Sequence, residues 1–589
     1  MKSISRRDFL ALSAKGAGAA VISTGLMGCD LLDGDDINIQ FKHGVASGDP
    51  TSTAVILWTR VTPNENGNIK VVWEIATDSA FTNIIANGET LTTSARDYTV
   101  KVDAQNLSAN TQYFYRFISN DKTSETGVTK TLPTGSVDKV KLAVMSCSNF
   151  PAGYFNVYEL ATQMNDIDAV LHLGDYIYEY ARDGYASSNA ASMGREVLPA
   201  GELFTLSDYR TRYAQYRGDV SLQKLHSLTP FITVWDDHEV ANDTFKDGAE
   251  NHSEEEGSFE TRKLAALQAY FEWLPIRPIE DDNELEIYRS FQFGDLVDLH
   301  MLDTRVLGRD KQLDYTNYQN SQTGEFDAVS FESDITDQTR TMLGADQLTW
   351  IQTQLATSTG TWQLLGQQVL MGKMNLPAAI GLQLMSVSEY AELGALAQLA
   401  ARAQAEDPTL TQQELTYLQE NQSKLTNEKI AQLQLPSIPY NLDAWDGYAY
   451  EREVIYGTAK AYGKNLVVLA GDTHNAWANN LKDINTQAVG VEFATSSVSS
   501  PGLEYYLDIS EQERLATEAG ITDLVSDLQY CNLSDRGFMT VTFTTTQAKA
   551  DWYFVDTIAS KTFNEATSRR KSLTVAVNSN TISEPIQAV

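Results

Sequence analysis

The sequence predicts a mixed α/β protein in which a smaller all-β domain precedes a larger α/β domain. The 589 residues are more than one ordinary hydrophobic core organises, so two or three domains are expected. Residues 38–134 contain short β-branched or alternating runs, separated by polar turns at roughly ten-residue spacing. From residue 139, apolar strands alternate with stretches of helical period, which is typical of an α/β domain.

The charge balance restricts the partners that this protein can have. The hydrophobic content of 42% and charged content of 21% are typical of a globular protein. The formal charge of -34 argues against a sequence-specific nucleic-acid partner, because a basic patch could not easily dominate such a field. An anionic substrate must therefore be attracted locally, by metal ions or by a few arginines.

The first 29 residues are predicted to be a targeting segment that is not part of the fold. Residues 5–10, "SRRDFL", resemble the twin-arginine export signal, and the apolar run that follows is too short and glycine-rich to span a bilayer with ease. "LMGCD" at 26–30 resembles a lipobox, with Cys29 as the lipidated residue. This predicts a periplasmic lipoprotein tethered to the inner membrane; the alternative is ordinary cleavage and a soluble periplasmic product.

The other cysteines do not form a disulfide framework. The chain has three cysteines, Cys29, Cys147 and Cys531, so lipidation of the first leaves at most one disulfide. An exported protein with so few cysteines is not a disulfide scaffold. Cys147 therefore calls for another explanation.

Residues 38–134 predict a β-sandwich of about seven strands, of immunoglobulin or fibronectin type. The strand candidates are "TAVILWTRV", "IKVVWEIATD", "DYTVKVDAQNL" and "TQYFYRFIS". "LPTGSV" at 132–137 is the predicted linker to the next domain.

The α/β domain is predicted to span residues 139–560. Its helix candidates include "TRKLAALQAYFEWL" and "ADQLTWIQTQLA". Residues 385–433, rich in Leu, Ala, Gln and Glu and interrupted at Pro408, predict a helical insertion that acts as a lid or packing element. Residues 538–556 predict a closing β-hairpin, and residues 561–589 a polar, peripheral tail.

Four predicted strands of this domain end in polar side chains. The stretches are "KLAVMSCSNF", "AVLHLGDYIY", "FITVWDDHEVAND" and "NLVVLAGDTHNAW". Ligands of α/β sheets bind beyond the carboxyl ends of the strands, so these four ends are expected to form one polar cluster. Its candidate members are Cys147, Asp175, Tyr178, Asp236, Asp237, His238, Asn242, Asp243, Asp472 and His474.

These residue types point to a site with two metal ions. A central carboxylate such as Asp175 can bridge two cations. Thiolate, phenolate and imidazole suit a transition metal such as iron, whereas oxygen ligands suit Ca²⁺, Mg²⁺ or Mn²⁺. Two metals roughly 3.5–4 Å apart hold a phosphoryl group and generate hydroxide near neutral pH.

Each of these signals is weak when it stands alone. A single cysteine at a strand end is more often a small buried residue, and the acids of Asp-Asp-His-Glu also suit the N-terminus of a helix. His172 has apolar neighbours on both sides and is predicted to be a core histidine, as are His43, His226, His252 and His300. The occurrence of all four strand ends together favours the metal site.

The same residues, in this order, resemble those of the PhoD-type alkaline phosphatases, a family of the calcineurin-like metallophosphoesterases. The order is Cys147, Gly174-Asp175-x-x-Tyr178, Asp236-Asp237-His238-Glu239 and Gly471-Asp472-x-His474. "FKHGVASGDP" with "VILWTRV" resembles the family's N-terminal domain, and "AYFEWLPIR", "YRSFQFGDLVDLHMLDTRVLGRDKQ", "MLGADQLTWI" and "WDGYAYER" resemble its catalytic domain. The resemblance covers residues 41 to 556.

The resemblance implies a four-layer α/β/β/α sandwich that hydrolyses phosphoesters at neutral to alkaline pH with Fe³⁺ and Ca²⁺. Carried over by position, four residues would hold iron: Cys147, Asp175, Tyr178 and His474. Asp175 would also bridge the two metals. Asn242 and Asp472 would hold calcium or contact phosphate.

The resemblance implies further roles in catalysis. Asp237 would be a ligand or support its loop, and His238 would contact phosphate or orient a ligand through its second nitrogen. Arg182 lies near the position of the family's phosphate-contacting arginine. "GQQVLM" at 366–371 stands where purple acid phosphatases have a ligand histidine. A glutamine in that place favours a harder second metal than zinc.

Three functions follow from this sequence as alternatives. The first is a monomeric, exported alkaline phosphatase for phosphate acquisition. The second is a phosphodiesterase or phospholipase D-like enzyme acting on nucleotide or lipid substrates. The third is a membrane-tethered binding module with a structural metal site, against which the intact set of ligand-type residues argues.

Overall fold

The computed structural model describes residues 37–277, 285–319, 326–382 and 384–585. The predicted export signal and Cys29 lie outside these residues. Within the described ranges, no helix is long and apolar enough to cross a membrane.

The strands are numbered here in chain order. They are β1 Ile39–Gln40, β2 Val45–Gly48, β3 Val55–Arg60, β4 Thr62–Pro63, β5 Ile69–Ala76, β6 Ile84–Thr92, β7 Thr99–Ala104, β8 Gln112–Ser119, β9 Lys122–Thr123, β10 Gly127–Lys130, β11 Lys139–Met145, β12 Ala169–His172, β13 Phe231–Thr233, β14 Arg289–Phe293, β15 Val297–Met301, β16 Trp362–Gly366, β17 Asn375–Pro377, β18 Ser437–Pro439, β19 Asn465–Ala470, β20 Ala476–Lys482, β21 Ala488–Ala494, β22 Leu528–Asn532, β23 Gly537–Thr544, β24 Gln547–Phe554, β25 Lys571–Ala576 and β26 Ile582–Ser583.

The α-helices lie mainly in the α/β domain. They are Asn156–Ala161, Ala190–Met193, Leu206–Tyr216, Val220–Leu228, Phe259–Trp273, Ala328–Ile335, Gly344–Thr357, Ala378–Gly381, Val387–Gln404, Gln412–Asn421, Asn427–Leu433, Ala449–Ala461, Leu503–Tyr506 and Arg514–Leu524. Two of them, Phe259–Trp273 and Gly344–Thr357, are the helices that the apolar periodicity predicts.

Two large sheets pack face to face at the centre of the molecule. One has ten strands in the order β26-β25-β24-β23-β11-β12-β13-β2-β3-β7, and the other has seven in the order β14-β15-β16-β19-β21-β20-β22. The indole N–H of Trp362 in the second sheet donates to the carbonyl of Thr544 in the first at 2.7 Å. Trp552 in the first sheet donates to Ala494 in the second at 2.9 Å.

Side-chain alternation explains why each sheet is covered on both faces. In β19, Val467 and Leu469 join the core between the sheets, whereas Leu466 and Val468 join a second core with the helices Gly344–Thr357 and Ala449–Ala461. Helices 206–216, 220–228 and 259–273 cover the outer face of the ten-stranded sheet. The predicted α/β/β/α order of layers is confirmed.

The all-β region is a sandwich that shares a sheet with the α/β domain. One sheet of this sandwich has the order β10-β8-β5-β6, with β9 alongside β8. It packs on β3 and β7 through a common apolar core. Strands β2, β3 and β7 also continue the ten-stranded sheet, because Gly48 of β2 pairs in parallel with Phe231 of β13. The sequence does not reveal this continuity, since the joining contact is a single residue pair far apart in the chain.

The last part of the chain differs from the prediction. The predicted hairpin is formed by β23 and β24, with Gly537 opposite Phe554. The segment 561–589, predicted to be a polar and peripheral tail, instead contains β25 and β26, which extend the sheet beyond β24. Leu573 and Val575 of β25 are buried, but this alternation is too short to stand out in a polar composition. Residues 385–433 form helices Val387–Gln404, Gln412–Asn421 and Asn427–Leu433, and Pro408 lies between the first two.

We expect Gly48→Ala to destabilise the fold at this junction. A Cβ at Gly48 would lie 2.6 Å from the carbonyl oxygen of Phe231 and also collide with that of Pro275, and neither backbone can withdraw easily. The loss should be about 1–3 kcal/mol, seen as a lower midpoint of thermal unfolding by circular dichroism. Gly457→Ala is the control, since it meets no atom within 4 Å and lies on an exposed helix face, where alanine is favoured. An unchanged midpoint for Gly48→Ala would contradict the packing.

Candidate metal centre

The candidate residues lie on loops that leave strands of both large sheets. β11, β12 and β13 are parallel neighbours, so their carboxyl ends share one edge of the ten-stranded sheet. The segment after β19 brings Asp472 and His474 to the same place from the seven-stranded sheet. The site therefore forms where the edges of the two sheets meet.

The backbone of these loops adopts a conformation that residues with a side chain rarely accept. The φ angles are positive at Cys147 (60°), Asp175 (54°), Asp472 (61°) and His474 (61°). A non-glycine residue in this region costs of the order of 1–3 kcal/mol where the surroundings force it. The concentration of such residues at one site indicates that side-chain placement, rather than stability, determines the local backbone.

A first group of ligand-type atoms combines three of the four loops. One atom each of Cys147, Asp175 and His474 lies within 4.8 Å of the others. The phenol of Tyr178 donates to Asp175 Oδ2 at 2.9 Å and lies 3.2 Å from His474 Nε2. Sulfur, carboxylate, phenol and imidazole thus surround one small space.

The imidazole of His474 is oriented by its other nitrogen. Nδ1 lies 2.6 Å from the carbonyl oxygen of Pro501, so a proton on Nδ1 is donated there and Nε2 is left with a lone pair. Ser500 Oγ donates to the phenol oxygen of Tyr178 at 2.6 Å. The segment that follows β21 therefore positions two of the candidate ligands.

Two further groups adjoin the first. Asp175, Asp237 and His238 form one, and Asp236, Asp237 and Asp472 form the other, each within 4.8 Å. Asp175 belongs to the first and second groups, and Asp237 to the second and third. The three groups are therefore one continuous acidic site with Asp175 near its centre.

Two buried glutamates build the support of this site. Glu179 accepts from His238 Nδ1 at 2.7 Å and from the backbone N–H of Asn242 at 2.8 Å. Glu239 accepts four backbone N–H groups, those of Asp175, Tyr176, Ile177 and Asp236, at 2.6–3.2 Å. The second glutamate therefore ties the loop after β12 to the loop after β13.

Arg305 is a site residue that the sequence analysis misses. Its guanidinium is fully buried and contacts Asp236 at 2.5 Å, Asp443 at 2.8 Å and Asp472 at 3.0 Å. It follows β15 in "MLDTRVLGRD", which is a fifth strand end with polar residues. The strand-end criterion could have found Arg305 if it had been applied to arginine as well as to ligand types.

The carboxylates of the site are electrostatically crowded. Burial raises the pKa of Asp236 and of Asp472 well above the ordinary value, and the charge of Arg305 offsets only part of this effect. Asp237 is also buried, but Arg305 and His238 lower its pKa to about 2. Burial alone would lower the pKa of His238; Asp237 and Glu179 outweigh it, and the pKa is raised well above its usual range. The site thus has more buried negative charge than Arg305 and His238 can compensate.

The donor set fits bound cations. Oδ1 of Asp175, Oδ2 of Asp236 and Oδ1 of Asp237 are buried and have no hydrogen-bond partner among the described residues. Burial and the charge of Asp175 raise the pKa of the Cys147 thiol, so a nearby cation is needed to favour the thiolate. Unpartnered buried oxygens beside a thiol, a phenol and an imidazole are what a metal ion would satisfy.

The side chains of two predicted site residues make no bond to these groups in the described structure. Arg182 is part-exposed, and its Nε lies 3.5 Å from Glu196 Oε1; no hydrogen bond or ion pair in the described structure links it to the acidic groups. The side-chain amide of Asn242 donates to Glu250 at 3.3 Å. Phosphate contact by Arg182 stays a prediction.

Two of the histidines predicted to be structural, His172 and His226, are fully buried in the core. His172 Nε2 bonds to Tyr158 at 2.9 Å, and burial lowers its pKa to about 3. His226 Nε2 bonds to the hydroxyl of Tyr176 at 2.9 Å, so the Tyr176 side chain lies in the core. The side chain of Tyr178 instead contacts Asp175 of the site. Gln368, in the stretch considered for a second ligand, instead donates to the carbonyl of Trp235 at 2.6 Å.

The chain is similar to one family along most of its length. Residues 142–552 match the family model described as PhoD-like phosphatase, and residues 33–133 match that of the PhoD-like phosphatase N-terminal domain. Alkaline phosphatase D of Bacillus subtilis (strain 168) is 30% identical over 570 residues, covering 93% of this chain and 84% of that protein. A solved structure described as the structure of PhoD has a TM-score of 0.72 and 28% identity, covering 93% of this chain and 92% of that one.

We expect Glu239→Gln to loosen the site without removing a candidate ligand. A glutamine offers one acceptor oxygen, and its NH₂ group would face two of the four backbone N–H donors. Each stranded N–H costs about 1–3 kcal/mol, so the unfolding midpoint and the bound metal content should both fall.

Calorimetry and elemental analysis would measure the two quantities on purified protein. Glu159→Gln is the control, because among the described residues the Glu159 side chain pairs with Lys224 at the surface, at 2.6 Å, so its replacement should change both quantities little. Wild-type stability and metal content in Glu239→Gln would contradict the supporting role.

Proposed function

Since this chain belongs to the PhoD-like phosphatase family of phosphoric ester hydrolases, we propose that it is an exported, metal-dependent alkaline phosphatase that releases phosphate for uptake. The membership of Asp175 in two adjoining ligand groups supports this proposal most directly, because a carboxylate shared by two groups suits a site with two cations. The family assignment and the site geometry agree on the chemistry.

We propose Fe³⁺ and Ca²⁺ as the metals, on the basis of ligand type. The thiol of Cys147, the phenol of Tyr178 and the imidazole of His474 lie together beside Asp175, and the first two would be thiolate and phenolate ligands of a bound iron. Oxygen ligands prevail around Asp472, which suits calcium. Asn242 would join them after a turn of its side chain away from Glu250.

The bound cations would supply a hydroxide nucleophile near neutral pH and positive charge beside the phosphoryl oxygens. The protein's own contribution is position and charge. Glu179 holds Nδ1 of His238, which leaves Nε2 of that ring to donate to a phosphoryl or leaving-group oxygen. Arg305 holds Asp236 and Asp472 in place and reduces their mutual repulsion.

The activity test compares a chromogenic phosphomonoester with the matching diester, with Ca²⁺ or with a chelator. We expect monoester turnover that needs Ca²⁺ and is lost with the chelator, because a protein of charge -34 otherwise repels phosphate. Preferential diester turnover would keep the site and assign the enzyme to nucleotide or lipid diesters. Absence of turnover with iron bound would overturn the phosphatase proposal.

The same assay tests the bridging role through Asp175→Asn. We expect loss of bound iron and a fall in kcat of about 10²-fold or more, whereas the metal-free protein should be no less stable, because one of the crowded charges is removed. Asp183→Asn, on an exposed part of the same loop, is the control. Retained iron and activity in Asp175→Asn would contradict the bridging role.

We also propose export by the twin-arginine route and lipidation at Cys29, for which the first 30 residues of the sequence are the basis. Mass spectrometry of the N-terminal peptide should show a lipidated Cys29 as the first residue of the mature protein. Cys29→Ser should release active enzyme from the membrane fraction. An unmodified peptide that begins at another residue would leave export in place and exclude the anchor.

A further inference from the structure

A row of tyrosine rings leads from the candidate metal centre to the surface. The ring of Tyr185 lies 6.2 Å from that of Tyr178 and 6.4 Å from that of His474. On its other side, Tyr506 stacks at 6.4 Å with an interplanar angle of 15°, and its hydroxyl donates to that of Tyr185 at 2.8 Å. Two ring-to-ring steps of 6.4 Å therefore separate His474 from Tyr506.

The outer end of this row is an exposed corner of aromatic faces. Tyr505 stands at 84° to Tyr185 and at 89° to Tyr506, with centroid distances of 6.5 and 5.4 Å. The exposed fraction is 59% for Tyr505 and 54% for Tyr506. We call Tyr185, Tyr505 and Tyr506 the tyrosine platform.

The platform is fastened to the same segment that orients the candidate ligands. Ser500 and Pro501 bond to Tyr178 and His474, as described above, and the backbone N–H of Leu503 donates to Asn475 at 3.0 Å. Asn475 directly follows His474. The platform therefore keeps a fixed position relative to the reacting centre, as a surface that selects substrates must.

The chemistry of the platform suits an uncharged planar ring. Exposed aromatic faces gain most from stacking on another π-system, and a base stacked on a tyrosine is stabilised largely irrespective of its identity. The neighbouring Glu504 forms an ion pair with Arg536, so its charge is balanced beside the platform. The two ring-to-ring steps of 6.4 Å from His474 to Tyr506 are a longer span than a three-carbon alcohol, and the sugar and base of a nucleoside suit it better.

We propose that the tyrosine platform binds the ring-bearing alcohol part of the phosphate ester and makes nucleoside monophosphates preferred substrates over esters of simple sugars or glycerol. This inference rests on the phosphatase function proposed above. It adds a specificity-determining surface to that site, and the roles of the metal ligands do not depend on it.

The test compares adenosine 5′-monophosphate with ribose 5-phosphate, which share a primary alkoxide leaving group and differ in the base. For the wild-type holoenzyme, kcat/KM should be about 5- to 150-fold higher for the nucleotide, the value expected for one stacked base. Tyr505→Ala and Tyr506→Ala should each reduce this ratio at least threefold, mainly through KM for the nucleotide.

Conservative variants separate stacking from folding. Tyr505→Phe keeps the aromatic ring and should keep the ratio. Tyr506→Phe loses the hydroxyl bond to Tyr185 but also keeps its ring, so it too should keep the ratio. Tyr462→Ala is the matched control, since Tyr462 is 55% exposed and precedes β19, at the end of that strand remote from the site. It should leave the ratio unchanged.

The outcomes distinguish this inference from the function on which it rests. Equal kcat/KM for the two substrates in the wild type, or a ratio that survives both alanine variants, would overturn the role of the platform while the phosphatase assignment stands. No hydrolysis of either substrate, or of the chromogenic monoester, would overturn the proposed function itself.

Discussion

The structure depends on a concentration of negative charge at one place that it cannot neutralise with its own side chains. Asp175, Asp236, Asp237 and Asp472 converge at the edge of two sheets, and Arg305 is the buried guanidinium among them. Burial of a carboxylate without compensation is among the most costly arrangements in a protein. The fold around the site holds these groups together in an arrangement that bound cations would balance.

Holding the groups together takes a rigid frame around them. Glu239 accepts backbone N–H groups from two loops, and Glu179 fixes one ring nitrogen of His238. The φ angles of Cys147 and Asp175 are positive, which indicates that the backbone adopts an unfavourable conformation where these side chains converge. Local strain is thus accepted at the site and is offset by the extensive core between the sheets, a distribution that is common where preorganisation matters.

Much of this arrangement was predictable from the sequence, and the rest was not for physical reasons. Apolar strands that end in Asp or His mark the edge of a sheet, so the convergence of Asp175 and His474 could be predicted from the pattern. Arg305 was missed because an arginine after a strand is usually a surface residue. The joining of β2 to β13 could not be predicted, because it depends on one pair of residues 183 positions apart, Gly48 and Phe231. The strands in the tail could not be predicted either, because their alternation is short and lies in a polar segment.

The shared ten-stranded sheet has a consequence for how the chain is made. Its order places β2, from the beginning of the fold, and β23, from near the end, on either side of β11, β12 and β13. A growing chain on the ribosome cannot pair this edge of β11 until residues 537–544 have been synthesised, since β23 pairs directly with β11. Contacts of such long sequence separation form slowly and leave unpaired strand edges exposed in the meantime. Closure of this sheet is therefore a late event that needs most of the chain.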